Sequence, residues 1–182
     1  MESKLYKIYK TKVVPAMQES FDMKNYMSVP KIEKVTLNIG INAKNNDSSY
    51  LEMVESTLTR ITGQKPIKTK AKKAISAFKV REGMIVGMKV TLRGKRLYDF
   101  LDKLIGITIP RIRDFRGLSV KGVDRQGNLT IGFKEHNVFP EIRSDEAEKI
   151  HGLEVTITTN ANSYEEGLKL FDLLGFPFQK NK

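Results

Sequence analysis

The hydrophobic pattern of this 182-residue chain changes period again and again, and that alternation limits its fold more than any other feature. Val35, Leu37, Ile39 and Ile41 alternate with Lys34, Thr36, Asn38 and Gly40, the period of a strand with one apolar and one polar face. Val86, Met88, Val90 and Leu92 alternate in the same way with Gly87, Lys89, Thr91 and Arg93, and Leu153, Val155, Ile157 and Thr159 mark a further strand. Between these runs the spacing turns helical. Leu5, Ile8, Tyr9, Val13, Ala16, Met17 and Phe21 form one stripe, which Pro15 should kink or split. Leu51, Val54, Leu58 and Ile61 form a second, predicted over about 49–62 by the Ser49-x-x-Glu52 capping box and the terminator Gly63. Leu97, Phe100, Leu101 and Leu104 form a third, closed by Gly106. Leu168, Phe171 and Leu174 form a fourth, entered through Ser163-x-x-Glu166 and stopped by Gly175.

The remaining segments are shorter. Pro66 to Lys68 reads as a small strand, and Ala77 to Arg81 as an extended piece after a lysine-rich loop. Val120–Val123 and Leu129–Phe133 flank the turn signal Asp124 to Asn128 as a hairpin, and Ser144 to Ile150 suggests a short acidic helix. Strands cluster in hairpins between helices. The expected fold is therefore α+β with ferredoxin-like elements: an antiparallel or mixed sheet, helices on one face and the other face open. Without a linker or internal repeat, residues 1–182 are expected to form a single domain with a basic loop at about 70–83.

Charge supplies the function class. The chain carries 32 basic and 21 acidic residues, net +11. Residues 60–96 alone hold 12 basic side chains against one acid, Glu82, so that stretch also nets +11 and the rest of the chain sums to zero. A field focused in one fifth of the sequence fits a polyanion partner, nucleic acid before membrane. No run approaches the roughly 18 apolar residues of a membrane span, and the first dozen residues lack the apolar core of a signal peptide. The absence of cysteine removes disulfides and thiolate chemistry and suggests an intracellular protein.

Two surfaces are candidates. On the polar strand faces, Lys34, Thr36 and Asn38 with Lys89, Thr91 and Arg93 offer donors and acceptors for phosphates, ribose hydroxyls and base edges. No aromatic residue interrupts them, which favours readout of RNA shape and backbone over base stacking. The loop with Lys68, Lys70, Lys72 and Lys73, followed by Phe78-Lys79-Val80-Arg81, reads as a flexible arm tracking phosphates, with Glu82 as its only counter-charge. Catalysis has no comparable support. His136 and His151 lie far apart in loop-like sequence, no phosphate-binding or dinucleotide fingerprint follows a strand, and Asp99, Asp102, Glu165 and Glu166 sit on polar helix faces. An RNA-modifying enzyme would need a perturbed acid, base or metal site, so no enzyme and no cofactor or metal is expected.

Read together, several segments resemble the family of the fifth large-subunit ribosomal protein of bacteria. They are Leu37-Asn-Ile-Gly40, Thr62-Gly-Gln-Lys-Pro66, Thr69-Lys-Ala-Lys-Lys73, Phe78-Lys-Val-Arg81 and Lys89-Val-Thr-Leu-Arg-Gly94. The ten-residue run from Pro110 to Ser119, Phe139-Pro-Glu-Ile142 and Gly152 to Thr159 continue the series in the family's order. The resemblance implies a monomeric, cytoplasmic ribosomal component that anchors 5S ribosomal RNA in the central protuberance, beside 23S ribosomal RNA. It implies that Asn38, Gln64 and Thr91 make direct RNA hydrogen bonds, within a 5S site that also takes in Lys34, Thr36, Lys68, Lys89 and Arg93. It further implies that the loop bearing Lys70, Lys72, Lys73, Ser76, Lys79 and Arg81 reaches transfer RNA in the peptidyl site. A bridge to a small-subunit head protein is implied loosely, around Arg111, Arg113, Arg116, Glu141, Arg143 and Asp145.

Overall fold

The structure is a computed structural model and describes residues 3–42, 47–142 and 149–179. Five strands form one open antiparallel sheet in the order β2-β3-β1-β5-β4: β1 Ile32–Gly40, β2 Ile67–Lys70, β3 Ile85–Leu92, β4 Leu129–Phe133 and β5 Leu153–Thr159. The helices are α1 Lys4–Ile8, α2 Val14–Phe21, α3 Ser48–Thr62, α4 Gly94–Lys103 and α5 Tyr164–Leu173. The α+β architecture and all the longer helices and strands agree with the periodicity of the sequence. Contacts group the chain into two compact units, one of residues 1–35, 92–131 and 156–182 and one of residues 36–91 and 132–155.

In the first unit, Pro15 shapes a helix without ending it, and Pro110 sits in the closing turn of another. Residues 4–21 stay helical through Tyr9–Val13, which widen into a π turn directly before Pro15. Val14 donates to the Tyr9 carbonyl five residues back, a wider turn than the α-helix makes, immediately before the ring. The same device recurs before Pro110. The expected stop at Gly106 does not occur: Leu104–Thr108 form a second π turn, Ile109 donates to Leu104, and a 3₁₀ turn runs on to Arg111. Leu97, Phe100, Leu101, Leu104, Thr108 and Ile109 keep that extended helix anchored in the core, which outweighs one glycine's helix penalty of about 1 kcal/mol.

Of the predicted hairpin, the turn and the second limb form. Asp124 accepts from the Gln126 and Asn128 amides at 2.9 and 2.8 Å, and Val123 bridges Leu129. The first limb is a 3₁₀ turn, Val120–Gly122, because the Ser119 side chain takes the Lys121 amide that a ladder would need. The N-cap half of the α5 capping box forms as expected, Ser163 accepting from the Glu166 amide, while the Glu166 carboxylate reaches one residue past the N-cap to the Asn162 amide at 2.9 Å.

In the second unit, α3 lays Tyr50, Val54, Thr57, Leu58 and Ile61 inward, and Gly63 caps it in the left-handed region at φ 66. Its predicted capping box is displaced. Asp47 is the N-cap and Leu51 already bonds back to the Asp47 carbonyl, so Ser49 lies inside the first turn. The strand expected over Pro66 to Lys68 forms over Ile67–Lys70, whereas Ala77 to Arg81 does not extend: Ser76–Phe78 form a 3₁₀ turn and Val80 alone pairs, with Ile75. The proposed acidic helix falls mostly on 143–148, outside the described residues; Lys149 and Ile150 are not helical.

His136 and His151 meet in this unit, 15 residues apart in sequence. Their rings stack at 4.0 Å and 4°, both buried, with Tyr50 edge-on to His151. Burial, then the neighbouring His136, pushes His151 down to about 4, and burial lowers His136. A base held below its ordinary value near 6.5 stays neutral when folded but takes up a proton when unfolded. Stability contributed by this pair is therefore complete above pH 6.5 and lost as pH falls towards 4. Urea unfolding at pH 7 and pH 5 should show a clear loss at pH 5, smaller in His151→Phe; equal stability of the native chain at both would contradict the pair's burial.

Gly87 marks the closest strand approach. A Cβ there would lie 2.7 Å from the Ile39 carbonyl oxygen and 3.0 Å from Thr69 Oγ1. Gly87→Ala should cost about 1–3 kcal/mol through forced strand displacement. Gly132→Ala, where a Cβ meets nothing within 4 Å, should stay within about 0.5 kcal/mol. Equal chemical-denaturation midpoints for the two variants would refute the close approach.

Candidate nucleic-acid interface

The register of β2 with β3 decides which side chains share a face. Ile67 stands opposite Lys89, Lys68 opposite Met88 and Thr69 opposite Gly87. Directly opposed residues of an antiparallel pair point the same way. Met88 is fully buried, so Lys68 turns to the covered side, where it meets Glu55 of α3 at 3.0 Å; Lys65 meets the same carboxylate at 3.5 Å. The hydrogen bond from Lys68 is the main cause that holds the Glu55 carboxyl below its ordinary value. The lysine-rich stretch thus has a counter-charge beyond Glu82. It comes from a helix ten residues upstream of Lys65, which a tally along residues 60–96 does not reach.

The opposite face of this unit is the open one. Leu37 and Ile39 of β1 are buried, while Asn38 is exposed and Thr36 half-buried; on β3, Val90 is buried, Lys89 exposed and Thr91 half-buried. Asn38 and Thr91 are therefore outside the core. The exposed Ile67 and the half-buried Thr69 extend the face along β2, and of these Thr69 was left out by stopping the strand at Lys68. The alternation Ile67–Lys68–Thr69–Lys70 was the available signal. On β5 the outward residue in this unit is exposed Glu154, so positive charge is concentrated towards β3.

Gln64 is positioned by what precedes it. The αL cap at Gly63 reverses the chain, Thr62 Oγ1 accepts from the Gln64 amide at 3.2 Å, and Gln64 Nε2 donates to the Thr91 carbonyl at 3.3 Å. The side chain meets β3 at Thr91, beyond the Ile67–Lys89 pair at which β2 begins. Lys34 and Arg93 belong to the first unit: Lys34 lies on β1, half-buried, and Arg93 is exposed in extended geometry as the N-cap of α4, just past β3.

The basic loop carries more structure than an arm tracking phosphates requires. Ala71 and Met84 are joined by a 2.8 Å bond, and Ile75 and Val80 exchange two bonds at 2.9 and 3.2 Å. Lys79, at φ 54, closes the tip by donating to the Ser76 carbonyl. Lys70, Lys72, Lys73, Ser76, Lys79 and Arg81 are all exposed. In the first unit Arg111, Arg113 and Arg116 are exposed around Asp114, whose φ is 51. Leu118 is bonded on both sides to residues 177–179: its amide donates to the Pro177 carbonyl at 2.7 Å, and its carbonyl accepts from the Gln179 amide at 2.9 Å. Glu141, in the second unit, is half-buried; Arg143 and Asp145 lie outside the described residues.

Comparison with known proteins gives the family. Residues 25–81 match the profile described as ribosomal protein L5, and residues 85–178 match the ribosomal L5P family C-terminus. The large ribosomal subunit protein uL5 of Colwellia psychrerythraea is 51% identical over 178 residues, 98% of either chain. The protein of the same name from Halothermothrix orenii is 49% identical, over 94% of this chain and 96% of its own. That from Streptococcus thermophilus is 46% identical, over 99% of this chain and 100% of its own. With both profiles matched in sequence order and relatives near 50% identity along almost the whole length, the chain belongs to the ribosomal protein L5 family.

Proposed function

We propose that this chain, a non-catalytic structural constituent of the large ribosomal subunit in the cytoplasm, holds 5S ribosomal RNA on the open face of its sheet. The observation that carries the reading is the side-chain set on the face opposite α3: exposed Asn38 and Lys89 beside half-buried Thr36, Thr69 and Thr91. Amide, hydroxyl and ammonium groups on a rigid pleated surface suit phosphate, ribose and base-edge contacts on folded RNA. Gln64 donates one amide hydrogen to the Thr91 carbonyl, which leaves its second amide hydrogen and its carbonyl oxygen for RNA. Lys34 and Arg93 add phosphate contacts. The 182 residues act as one monomeric RNA-binding domain, which also meets 23S ribosomal RNA.

The loop at about 70–83 contacts transfer RNA in the peptidyl site through Lys70, Lys72, Lys73, Ser76, Lys79 and Arg81, all exposed. Arg111, Arg113, Arg116 and the neighbourhood of Glu141, Arg143 and Asp145 meet a small-subunit head protein.

Filter binding of purified chain to 5S RNA tests the main site. About six phosphate contacts give a log–log salt slope near −4 to −5, so salt-independent binding would count against it. Asn38→Ala and Thr91→Ala should each weaken binding by about 1–3 kcal/mol. Lys89→Ala should weaken it more than Lys68→Ala, because Lys68 is turned to Glu55; the reverse order would move the site to the other face. Replacing Lys70, Lys72 and Lys73 together by alanine should spare 5S binding and weaken transfer RNA binding. Loss of 5S binding there would exchange the roles of the two surfaces.

A further inference from the structure

The tip of the basic loop presents a feature that phosphate contact leaves unused. Phe78 is 72% exposed, the most exposed large apolar side chain among the described residues. It is not at the end of a loose arm. The two Ile75–Val80 backbone bonds and the Lys79-to-Ser76 closure hold the 3₁₀ turn Ser76–Phe78 on top of the hairpin, so the ring is presented from an ordered base. Lys72, Lys73, Lys79 and Arg81 are exposed around it, and Glu82 is the single acid of residues 70–83.

A flat apolar ring within a strongly cationic surface narrows the choice of partner. An apolar protein patch would meet several uncompensated ammonium groups, and a phosphate backbone alone would leave the ring in water. RNA with an unstacked base satisfies both: phosphates for the lysines and a π face for the ring. Resting on the reading that this loop meets transfer RNA, we infer that Phe78 is a base-stacking residue, seated on an exposed base of the RNA whose phosphates the neighbouring lysines hold. The open sheet face lacks aromatic residues, so the two surfaces grip RNA by different chemistry: polar contacts on the sheet, and a stack flanked by charge at the loop tip.

The chain contains no tryptophan, so Phe78→Trp introduces a single indole at this position. Titration of that variant with transfer RNA should quench its fluorescence saturably, while inorganic polyphosphate, a polyanion without bases, should not. Phe78→Ala and Phe78→Leu should weaken transfer RNA binding about 5- to 100-fold and leave the salt slope unchanged, since no charge is removed. Unquenched indole, with transfer RNA binding that still depends on Lys70, Lys72 and Lys73, would overturn the stack and leave the loop reading standing. Transfer RNA binding indifferent to those lysines would overturn both. Equal weakening of transfer RNA and polyphosphate by Phe78→Ala would also overturn it, since the ring would then only shape the loop.

Discussion

Burial of one strand face is the constraint from which the rest follows. In the second unit Leu37, Ile39, Met88 and Val90 leave water on the side of α3, and the two-residue period of a strand then sends Asn38, Lys89 and Thr91 the other way. No separate device is needed to expose the polar set. A slip of one residue in the pairing would bury Lys89 and expose Met88, so the apolar face and the proposed RNA-binding face are specified by the same register. Gly87 tightens this further, since the space beside the Ile39 carbonyl admits no side chain.

Prolines and glycines act here as adjustments more often than as stops. Pro15 and Pro110 each follow a π turn in which the residue before the ring reaches a carbonyl five positions back. The wider turn accommodates the ring; past Pro15 the helix runs on to Phe21, with buried residues on both sides of the ring, whereas past Pro110 it closes at Arg111. Helix-breaking propensity is a local cost of about 1–3 kcal/mol. Several buried side chains outweigh it.

The two proposed RNA surfaces differ in the stiffness of what presents them. The sheet face offers short polar side chains on a hydrogen-bonded ladder, which suits recognition of RNA shape. The loop offers long cations and one aromatic ring on a narrow hairpin, able to follow a backbone and still cover one base. Glu55 separates the roles by engaging Lys65 and Lys68 at the root of the loop, so that the lysines beyond them carry the positive field at the tip.

The amino-acid pattern by itself determined the α+β class, the three longer strands, the four helical stripes and the segregation of charge into residues 60–96, because each is a periodicity or a tally that local chemistry enforces. Motifs such as the run from Pro110 to Ser119 pointed to the family. Tertiary structure alone decided that Lys68 turns away from Lys89, that Glu55 is its counter-charge, that His136 and His151 stack, and that Gly106 does not end its helix. Each of these depends on a partner distant in sequence or on burial that offsets a local preference. Spacing along the chain does not encode which strand pairs with which residue of its neighbour; only the packed register supplies that.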